Sequence, residues 1–469
     1  MALQYDAPTT AAALTAELQS NPAISATTLA AISSLLNLDA SGTEVSVASY
    51  NAITGEVTGQ DGVTPDVVTI STDAPTFARA AATPQVDVNL TPVADASVFV
   101  ISGDQGVNAT LNTVAGSDKV IVGGNGNDTI TVTGDANVTV EGGDGNDVIT
   151  TAGGNDTVIG GAGVNFISTG AGNDTIITGA GIANTIDAGE GFDTVQIGGA
   201  RADFQISQSG STLVLNGDDQ TTSVTHAEFL SFTDGATVAI ADNAEDAAVL
   251  RLYEGLLGRD ADQAGAEFFT TAHDNGATSA QLAEVFVNSA EYKDVVVDSY
   301  IDDLYNNLLG RTTGADQAGQ DFWSNAVANG LSLSDLAVQL AASTEGQAAT
   351  SSDTAFVKGL YEAALGRNAD DTGLDFWVNA LSNGNTREDI ASGIINSSEA
   401  SSHSNVEFVN SLYTNALGRD NDANDVGGKA FWLTALENGA SHAQVAIDIV
   451  GSPDAQAHVT NVVVVPGSV

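Results

Sequence analysis

The sequence predicts a multidomain α+β protein in which a parallel β-roll is followed by an all-α array of four helical repeats. Two internal repeats support this prediction. A nine-residue pattern runs from about residue 103 to 196, and a pattern of 52 to 56 residues begins near residue 243. Tandem repeats at a fixed period are typical of folds in which each unit buries its apolar face against the next unit.

The nine-residue unit joins a tight turn to a short strand. Its clearest copies read Gly-Gly-Asn-Gly-Asn-Asp-Thr-Ile-Thr from Gly123 and Gly-Gly-Asp-Gly-Asn-Asp-Val-Ile-Thr from Gly142. Gly supplies the positive φ angles that such a turn needs. Further copies begin at Thr151, Gly160, Thr169, Thr178 and Ala188. Stacked strands would bury the eighth residue of each copy in one core: Ile130, Ile149, Val158, Ile167, Ile176, Ile186 and Val195.

Oxygen-bearing residues recur at fixed positions of the turn. Ca²⁺ takes six to eight oxygen ligands, more than one such turn can supply. Two nonapeptides make one coil, so we expect two columns of stacked loops. One column would hold the loops at 103, 123, 142, 160 and 178, and the other those at 151, 169 and 188. Several Ca²⁺ ions would lie between stacked loops.

The predicted ligands are backbone carbonyls and sixth-position side chains. The best pairs are Asp128 with Asp147, then Asp156 with Asp174, then Asp174 with Asp193. Asn165 brings oxygen without charge, and the segment around Asp135 has lost the loop, so we expect no ion there. The full predicted set is Gly123, Asn125, Asn127, Asp128, Gly142, Asp144, Asn146, Asp147, Gly153, Asn155, Asp156, Gly160, Ala162, Asn165, Ala171, Asn173, Asp174, Glu190 and Asp193.

This region resembles the RTX family of calcium-binding β-rolls, found in bacterial proteins exported by type I secretion. The resemblance covers about a fifth of the chain. It implies a secreted or cell-surface location, an uncleaved C-terminal export signal within about 460–469, and contact with the type I secretion machinery.

Composition excludes several classes of partner. The chain has 469 residues, with 60 acidic and 12 basic residues and a net charge of −48. This charge argues against nucleic acid and anionic membrane surfaces as partners. Cysteine is absent, which excludes disulfides and thiol chemistry. The N-terminus is not that of a Sec signal peptide, and no apolar run is long enough for membrane insertion.

The flanking segments predict simpler elements. We expect residues 1–100 to cap the roll (101–200), with helices at 10–18 and 27–38 and strands at 67–70, 86–90 and 97–101. A small β domain, or strand edges that support self-association, are the alternatives. Residues 201–242 predict a β end-cap. Its hairpin is followed by an acidic residue, apolar positions and Phe232-Thr233-Asp234-Gly235, similar to the caps of RTX rolls.

Residues 243–469 predict four helical units, at about 243–294, 295–350, 351–404 and 405–460, and a tail. Each contains Leu-Tyr, Leu-Gly-Arg, an aromatic pair, Asn-Gly and a capping box. The four Leu-Gly-Arg arginines are Arg259, Arg311, Arg367 and Arg419. The units resemble a bacterial domain of unknown function found beside RTX repeats, and also the helical domain of phycobilisome linkers with its Asp-x-x-Gly. The fourth unit departs from this pattern, with Val426-Gly427-Gly428 after an insertion whose Asp-rich loop (420–425) is a solvated loop or a further calcium site.

The arginines and aromatic pairs allow two interpretations. In the structural one, each guanidinium binds a helix carbonyl or a carboxylate of the next loop, such as Asp262, Asp316 or Asp371. In the functional one, arginine and an exposed tryptophan bind an anionic ligand or a glycan. Exposure of Trp323, Trp377 and Trp432 would favour the second.

The motifs of the common enzyme classes are absent. The sequence has no His-Glu-x-x-His, no Gly-x-Ser-x-Gly and no phosphate-binding loop. We therefore expect no enzyme but a secreted calcium-binding structural protein of the bacterial surface or matrix, of surface-layer or filament type, that self-associates. The alternative is an adhesin whose helical repeats bind a cell-surface polysaccharide or a protein.

Overall fold

A computed structural model describes residues 8–72, 85–103, 105–179, 181–419 and 425–467. The chain folds into two compact units. Unit 1 comprises Met1–Ala247, Asp260–Thr271 and Asn461–Val469, and unit 2 comprises Ala248–Arg259 and Ala272–Thr460.

Unit 1 is dominated by β-structure. Its described strands, in chain order, are β1 (Thr9–Thr10), β2 (Glu44–Val45), β3 (Val47–Asn51), β4 (Glu56–Thr58), β5 (Val67–Ser71), β6 (Val86–Asn89), β7 (Val98–Ser102), β8 (Val107–Asn112), β9 (Lys119–Val122), β10 (Thr129–Thr133), β11 (Val138–Glu141), β12 (Val148–Thr150), β13 (Thr157–Ile159), β14 (Gly163–Ser168), β15 (Thr175–Ile177), β16 (Gly181–Asp187), β17 (Thr194–Ile197), β18 (Gln205–Ser209), β19 (Thr212–Asn216), β20 (Thr221–Thr225), β21 (Phe229–Phe232), β22 (Thr237–Ala241) and β23 (Val462–Val464).

The strands form two long sheets that the chain visits alternately. Among the described residues, one sheet has the order β18-β19-β20-β16-β14-β12-β10-β8-β6, and the other has the order β23-β22-β21-β17-β15-β13-β11-β9-β7-β5-β3-β4. Pairing within the solenoid is parallel, with Ile130 beside Ile149 and Val158 beside Ile176. Each coil therefore contributes one strand to each sheet, and the eighth-position Ile and Val side chains are buried between the sheets.

The solenoid begins well before the nine-residue repeats. Strands β5, β6 and β7 confirm the predicted strands, and all three pair in parallel with strands of the same two sheets. Helices α1 (Ala11–Gln19) and α2 (Ala26–Leu35) confirm the two predicted helices. They cover an apolar strip on the outside of the longer sheet, where Leu14 and Ile32 pack with Val98 and Val120.

The C-terminal side of the roll is closed by the predicted cap. Strands β18 and β19 form an antiparallel hairpin. Strand β20 stacks on β16, and β21 stacks on β17 with Thr194 beside Phe229. The last coil is therefore covered by two further strands, and its apolar side chains Ile186 and Val195 remain buried.

The remaining chain is helical apart from β23. Its described α-helices are α3 (Ala244–Leu252), α4 (Gln263–Asp274), α5 (Ser279–Asn288), α6 (Ala290–Asp303), α7 (Gln317–Ala328), α8 (Leu333–Ala342), α9 (Thr344–Ala349), α10 (Asp353–Leu365), α11 (Asp371–Ser382), α12 (Arg387–Ile395), α13 (Ser398–Leu417), α14 (Val426–Glu437), α15 (His442–Val450) and α16 (Pro453–His458). Two π-helical turns, Tyr253–Leu257 and Leu304–Leu308, continue α3 and α6.

The helical repeats associate in pairs within unit 2. Helix α8 of the second repeat packs against α12 of the third repeat, and α5 of the first packs against α15 of the fourth. Leu336, Phe356 and Ile390 belong to one buried cluster shared by the second and third repeats. The predicted caps of these four helices are confirmed, since the side chains of Thr278, Ser332, Thr386 and Ser441 each accept a backbone N–H three residues later.

Candidate metal centre

The nine-residue loops stack in two columns. In one column Asn125 bridges Asp144, which in turn bridges Ala162. In the other, Gly153 bridges Ala171, which bridges Glu190. The stacking predicted from the sequence is confirmed for these loops. Asp104, in the earliest predicted loop, lies outside the described residues.

Coils approach each other too closely for side chains at some loop positions. Gly145 has φ of +143°, and a Cβ atom built there would lie 1.8 Å from the carbonyl oxygen of Gly126. Only glycine fits a backbone that passes so near its neighbour. The glycine pattern therefore sets the spacing at which the oxygen atoms of stacked loops meet.

Sixth-position carboxylates form a hydrogen-bonded ladder in the column of loops at 151, 169 and 188. The Val138 N–H donates to Asp156 Oδ1 at 2.9 Å, Asp156 N–H to Asp174 Oδ1 at 2.7 Å, and Asp174 N–H to Asp193 Oδ1 at 2.7 Å. Each carboxylate thus satisfies the amide of the coil that precedes it. Since all three side chains are at most 2% exposed, the ladder is buried.

The column of loops at 123, 142 and 160 has the same ladder. The Val107 N–H donates to Asp128 Oδ1 at 2.8 Å, and Asp128 N–H donates to Asp147 Oδ1 at 2.9 Å. The Asp147 N–H continues the series to Asn165 Oδ1 at 3.1 Å.

The second oxygen of each of these aspartates has no hydrogen-bond partner within the protein. This holds for Oδ2 of Asp128, Asp147, Asp156, Asp174 and Asp193. Burying a carboxylate without a compensating partner is costly, and such groups pair with cations or bind metals. The roll therefore contains five buried carboxylate oxygens that a bound cation would neutralise.

Burial also changes the acidity of these side chains. Removal from water raises the pKa of Asp128 and of Asp193 to about 8, that of Asp156 to about 7 and that of Asp147 to about 6. The pKa of Asp174 is raised as well, again first by burial. Hydrogen bonds from backbone amides oppose the shift in each case. Burial by itself thus favours the protonated form of these carboxylates, and a bound cation would supply a counter-charge in place of the proton.

The oxygen geometry fits a hard cation. A Cβ atom built on Gly123 would lie 2.6 Å from Asp128 Oδ2 and 2.6 Å from the carbonyl oxygen of Gly142, in the next coil. At Gly142 the corresponding distances are 2.5 Å to Asp147 Oδ2 and 2.8 Å to the Gly160 carbonyl. A carboxylate and a carbonyl from adjacent coils converge beside each glycine, which is the donor type that Ca²⁺ prefers.

The other predicted ligands lie nearer the surface and already have structural contacts. Of the fifth-position residues Asn127, Asn146, Asn155 and Asn173, each uses its side-chain oxygen to accept an N–H from the following coil, at 2.8 to 3.1 Å. At the third position, the Asp144 carbonyl accepts the Gly126 N–H and the Glu190 carbonyl accepts the Gly172 N–H. The Asn side chains of the fifth position therefore hold successive coils together.

The first column changes character at Asn165. Its Oδ1 accepts the Asp147 N–H, and its Nδ2 donates to Asn184 Oδ1 at 3.3 Å. Asn184 is 2% exposed, and its own Nδ2 has no partner within the protein. The buried surface here presents an N–H donor in place of a carboxylate oxygen, which disfavours a cation between these two loops.

The helical repeats pair their charges internally. Arg259 binds Glu291, Arg311 binds Glu345 and Arg367 binds Glu399, each through Nε and Nη2. A carboxylate of the next loop, one of the two expected kinds of partner, is confirmed for Arg419, which binds Asp425 at 2.9 Å as well as Asp454 at 2.7 Å. In the second and third repeats the loop carboxylate is only a secondary partner. Asp316 lies 4.0 Å from Arg311, and for Arg367 the loop partner is Asp370, at 3.6 Å, not Asp371. In the first three repeats the main partner is the acid of a repeated Ser-x-Glu, which begins the third helix after each arginine.

The remaining repeat motifs also have structural explanations. Gly258, Gly366 and Gly418 adopt left-handed conformations that end a helix, as a C-cap glycine does. The Asp of Asp-x-x-Gly caps the aromatic helix, and in the fourth repeat Asp425 accepts the Gly428 N–H. The prediction that the fourth repeat departs from Asp-x-x-Gly was therefore wrong, because Asp425-Val426-Gly427-Gly428 preserves the motif. The rest of its inserted loop, residues 420–424, lies outside the described residues.

The aromatic pair divides between core and surface. The Trp323 indole N–H donates to Tyr305 Oη at 3.2 Å, and the Trp377 indole N–H donates to Tyr361 Oη at 3.1 Å. Trp323 is buried, whereas Trp377 and Trp432 are half-buried. The neighbouring phenylalanines point outward instead, with exposures of 55 to 63%: Phe268, Phe322, Phe376 and Phe431.

A parallel roll with carboxylates buried between stacked Gly-Asp loops defines a class, the cation-binding β-roll. The model of the RTX calcium-binding nonapeptide repeat matches overlapping segments at 115–138, 122–158, 132–167, 150–183 and 159–195. The domain of unknown function DUF4214 matches 240–296, 292–350, 347–404 and 400–459. The chain thus carries RTX repeats, which bind Ca²⁺, followed by four DUF4214 domains.

No curated protein matches the chain significantly. In the part of the chain that the structure describes, none of the helices combines the length and the apolar character needed to cross a membrane. The RTX repeats are typical of secreted proteins.

Proposed function

We propose that this chain is a secreted calcium-binding structural protein of the bacterial cell surface or extracellular matrix, which folds and assembles when it meets calcium outside the cell. The observation that supports the proposal is the set of five buried aspartate oxygens without partners in the roll. Each is an acceptor that the fold has desolvated and left without a counter-charge.

Charge balance explains why calcium would control folding. The chain carries 60 acidic residues against 12 basic ones. Four of the eight arginines are the Leu-Gly-Arg arginines, and these bind carboxylates of the helical repeats. The aspartate ladders of the roll have no such partner, so cations from solution would supply their counter-charge. At the low calcium level of a cytosol the roll would stay loose, and outside the cell the free energy of ion binding would become free energy of folding.

In this proposal the chain is structural and not catalytic. Its repeated carboxylates are ladder members, helix caps or partners of arginine. Its histidines are too few and too scattered along the sequence for a zinc protease site. Self-association and the type I secretion machinery are the partners that the proposal requires.

Sedimentation velocity of the full chain tests this proposal. In millimolar calcium, large regular assemblies should form, and a chelator should return them to expanded monomers. A monomer that persists in calcium at high protein concentration would rule out assembly as the function, while compaction without assembly would leave the roll as a folding device for export.

A second candidate function is adhesion through the helical repeats. Exposed tryptophans would favour adhesion, but the tryptophans of two repeats do not support it. The indole N–H groups of Trp323 and Trp377 donate to tyrosines inside their own repeats. The exposed phenylalanines do favour it. Phe322, Phe376 and Phe431 are each 63% exposed, and each stacks edge-on against the tryptophan that follows it.

Replacement of these rings tests adhesion without disturbing the core. The triple variant F322S, F376S, F431S should lose binding to purified cell-surface polysaccharide or to whole cells, while its circular dichroism stays unchanged. A matched variant, V148S, removes an exposed apolar side chain from the roll and should bind as the native chain does. Equal binding by the triple variant would exclude this surface.

A further inference from the structure

The described structure extends the carboxylate ladder beyond the last nine-residue repeat. The Asp193 N–H donates to Glu228 Oε2 at 2.7 Å. This distance equals that from Asp174 N–H to Asp193 Oδ1 and that from Asp156 N–H to Asp174 Oδ1. Glu228 therefore performs, one coil further on, the hydrogen bond that each sixth-position aspartate makes to the coil before it.

Strand register explains why a residue 35 positions away reaches this place. Strand β21 stacks in parallel on β17, with Thr194 beside Phe229. The residues just before these two, Asp193 and Glu228, are consequently aligned, and the Glu228 N–H donates to the Asp193 carbonyl at 3.2 Å. The β18–β19 hairpin and β20 occupy the intervening sequence, so the cap provides a structural equivalent of the sixth loop position.

The surroundings of this pair are acidic and dry. Glu228 is 4% exposed and Asp193 is fully buried. The Oδ2 atom of Asp193 has no hydrogen-bond partner within the protein. Asp193 and Glu228 thus bring two carboxylates together in the interior, and a cation between them would offset the repulsion of their charges.

We propose that Glu228 is a calcium ligand, and that the cap completes a further calcium site between the loop at residues 188–193 and the turn at residues 225–228. This site rests on the calcium-binding role of the roll, and Glu228 lies outside the matched repeats, which end at residue 195. A glutamate suits the position because its extra methylene spans a turn that lacks the glycines of the repeat loops.

Calcium counting on the full chain tests the site. Equilibrium dialysis and native mass spectrometry should find one ion fewer bound to E228Q than to the native chain at the same free calcium. The matched control is E141Q. Glu141 is also a buried glutamate of the roll, 6% exposed, but both its carboxylate oxygens accept the Ser25 N–H at 3.0 Å, so E141Q should keep every ion.

An anomalous difference map from calcium-loaded native crystals provides a measurement that does not depend on a variant folding. It should show a calcium peak in contact with Glu228 and Asp193. An ion count unchanged in E228Q, or a map with peaks only between repeat loops, would overturn this proposal. If native protein also binds no calcium at Asp128 or Asp156, the proposed function itself fails.

Discussion

The two repeat systems of this chain place their repeated carboxylates in opposite environments. In the roll, each repeated aspartate is buried, and one of its oxygens has no partner in the protein. In the helical repeats, each repeated glutamate lies at the surface and binds an arginine of its own repeat with both oxygens. Arg311 and Glu345 remain 32% and 44% exposed.

This difference indicates which interactions stabilise each region. In the helical repeats the repeated glutamates have arginine partners, and the carboxylates lie outside an apolar core. The roll has an apolar core too, but it buries uncompensated carboxylates. Its folding is therefore expected to depend on an ion, while that of the helical region does not.

Removal of calcium should have the largest effect. A chelator should abolish the β-sheet signal in circular dichroism and leave the helical signal largely intact. The reason is that each site adds about 4 kcal/mol when free calcium exceeds its Kd by about 1,000-fold, and the roll loses every such contribution at once. Magnesium in place of calcium is the control and should restore less structure. A roll that stays folded in chelator would remove the contrast between the regions.

Acid should partly replace calcium. Burial raises the pKa of Asp128 and Asp193 to about 8, above the 3.8 of an unfolded aspartate. The folded roll therefore binds more protons than the unfolded chain between these values. The stability that protons give the roll in chelator is fully present below pH 3.8 and is lost as pH rises toward 8. In chelator, part of the β-sheet signal should therefore return at about pH 5 and resist urea, whereas at about pH 8 it should stay absent. In saturating calcium this advantage of acid should disappear, because protons and ions compete for the same oxygens.

Removal of a single charge from the middle of a ladder should have the next largest effect. Asp147 lies between two loops, accepting from Asp128 and donating to Asn165. D147N keeps the shape but removes the charge, and should weaken calcium binding at its loop roughly tenfold or more, about 1.4 kcal/mol, as measured by isothermal titration calorimetry. D147A should lose the ladder bond as well and bind more weakly still.

The exposed Asp135 supplies a control in the same roll. D135N removes the same charge from a segment that lacks the loop, and its calcium affinity should equal that of the native chain. Equal losses in D135N and D147N would mean that net charge, and not the ladder, sets the affinity.

The smallest effect on stability should come from a substitution in the helical region, and it should be the same with calcium and without it. Tyr305 Oη accepts the buried indole N–H of Trp323. Y305F leaves that donor unsatisfied, which costs about 1 to 3 kcal/mol, and thermal melting of the helical signal should fall equally with calcium and with chelator.

The same region offers a matched tyrosine. The buried hydroxyl of Tyr300 has no hydrogen-bond partner within the protein, so Y300F should leave the melting temperature unchanged or raise it. A loss in Y300F as large as that in Y305F would contradict the assignment of the Tyr–Trp hydrogen bond as the stabilising contact.

Much of the roll was predictable because its information is local. A period of nine with Ile or Val at one phase determines which side chains are buried, and two periods per coil determine which loops stack. Sequence spacing alone therefore identifies as neighbours the aspartates Asp128, Asp147, Asp156, Asp174 and Asp193. Their ladder hydrogen bonds, by contrast, depend on how far one coil is offset from the next. The spacing of residues in the sequence does not give that offset.

Longer-range partners were missed for a related reason. Glu228 reaches Asp193 only because a hairpin and one strand of a particular length intervene before β21 stacks on β17. The arginine partners Glu291, Glu345 and Glu399 lie 32 to 34 residues after their arginines. A signal for them was present in the recurring Ser-x-Glu, but only helix packing shows that its acid faces the Leu-Gly-Arg turn.

The interchangeability of ladder positions has an evolutionary consequence. Asp156 N–H and Asp174 N–H meet the same kind of acceptor at the same 2.7 Å distance. A deletion of residues 157–174 would join Asp156 to Thr175 and present the Asp156 amide to Asp193 instead, with both ends of the solenoid unchanged. Genes for such rolls can therefore gain or lose whole coils by unequal recombination, and the length of the protein can drift while every surviving contact keeps its geometry.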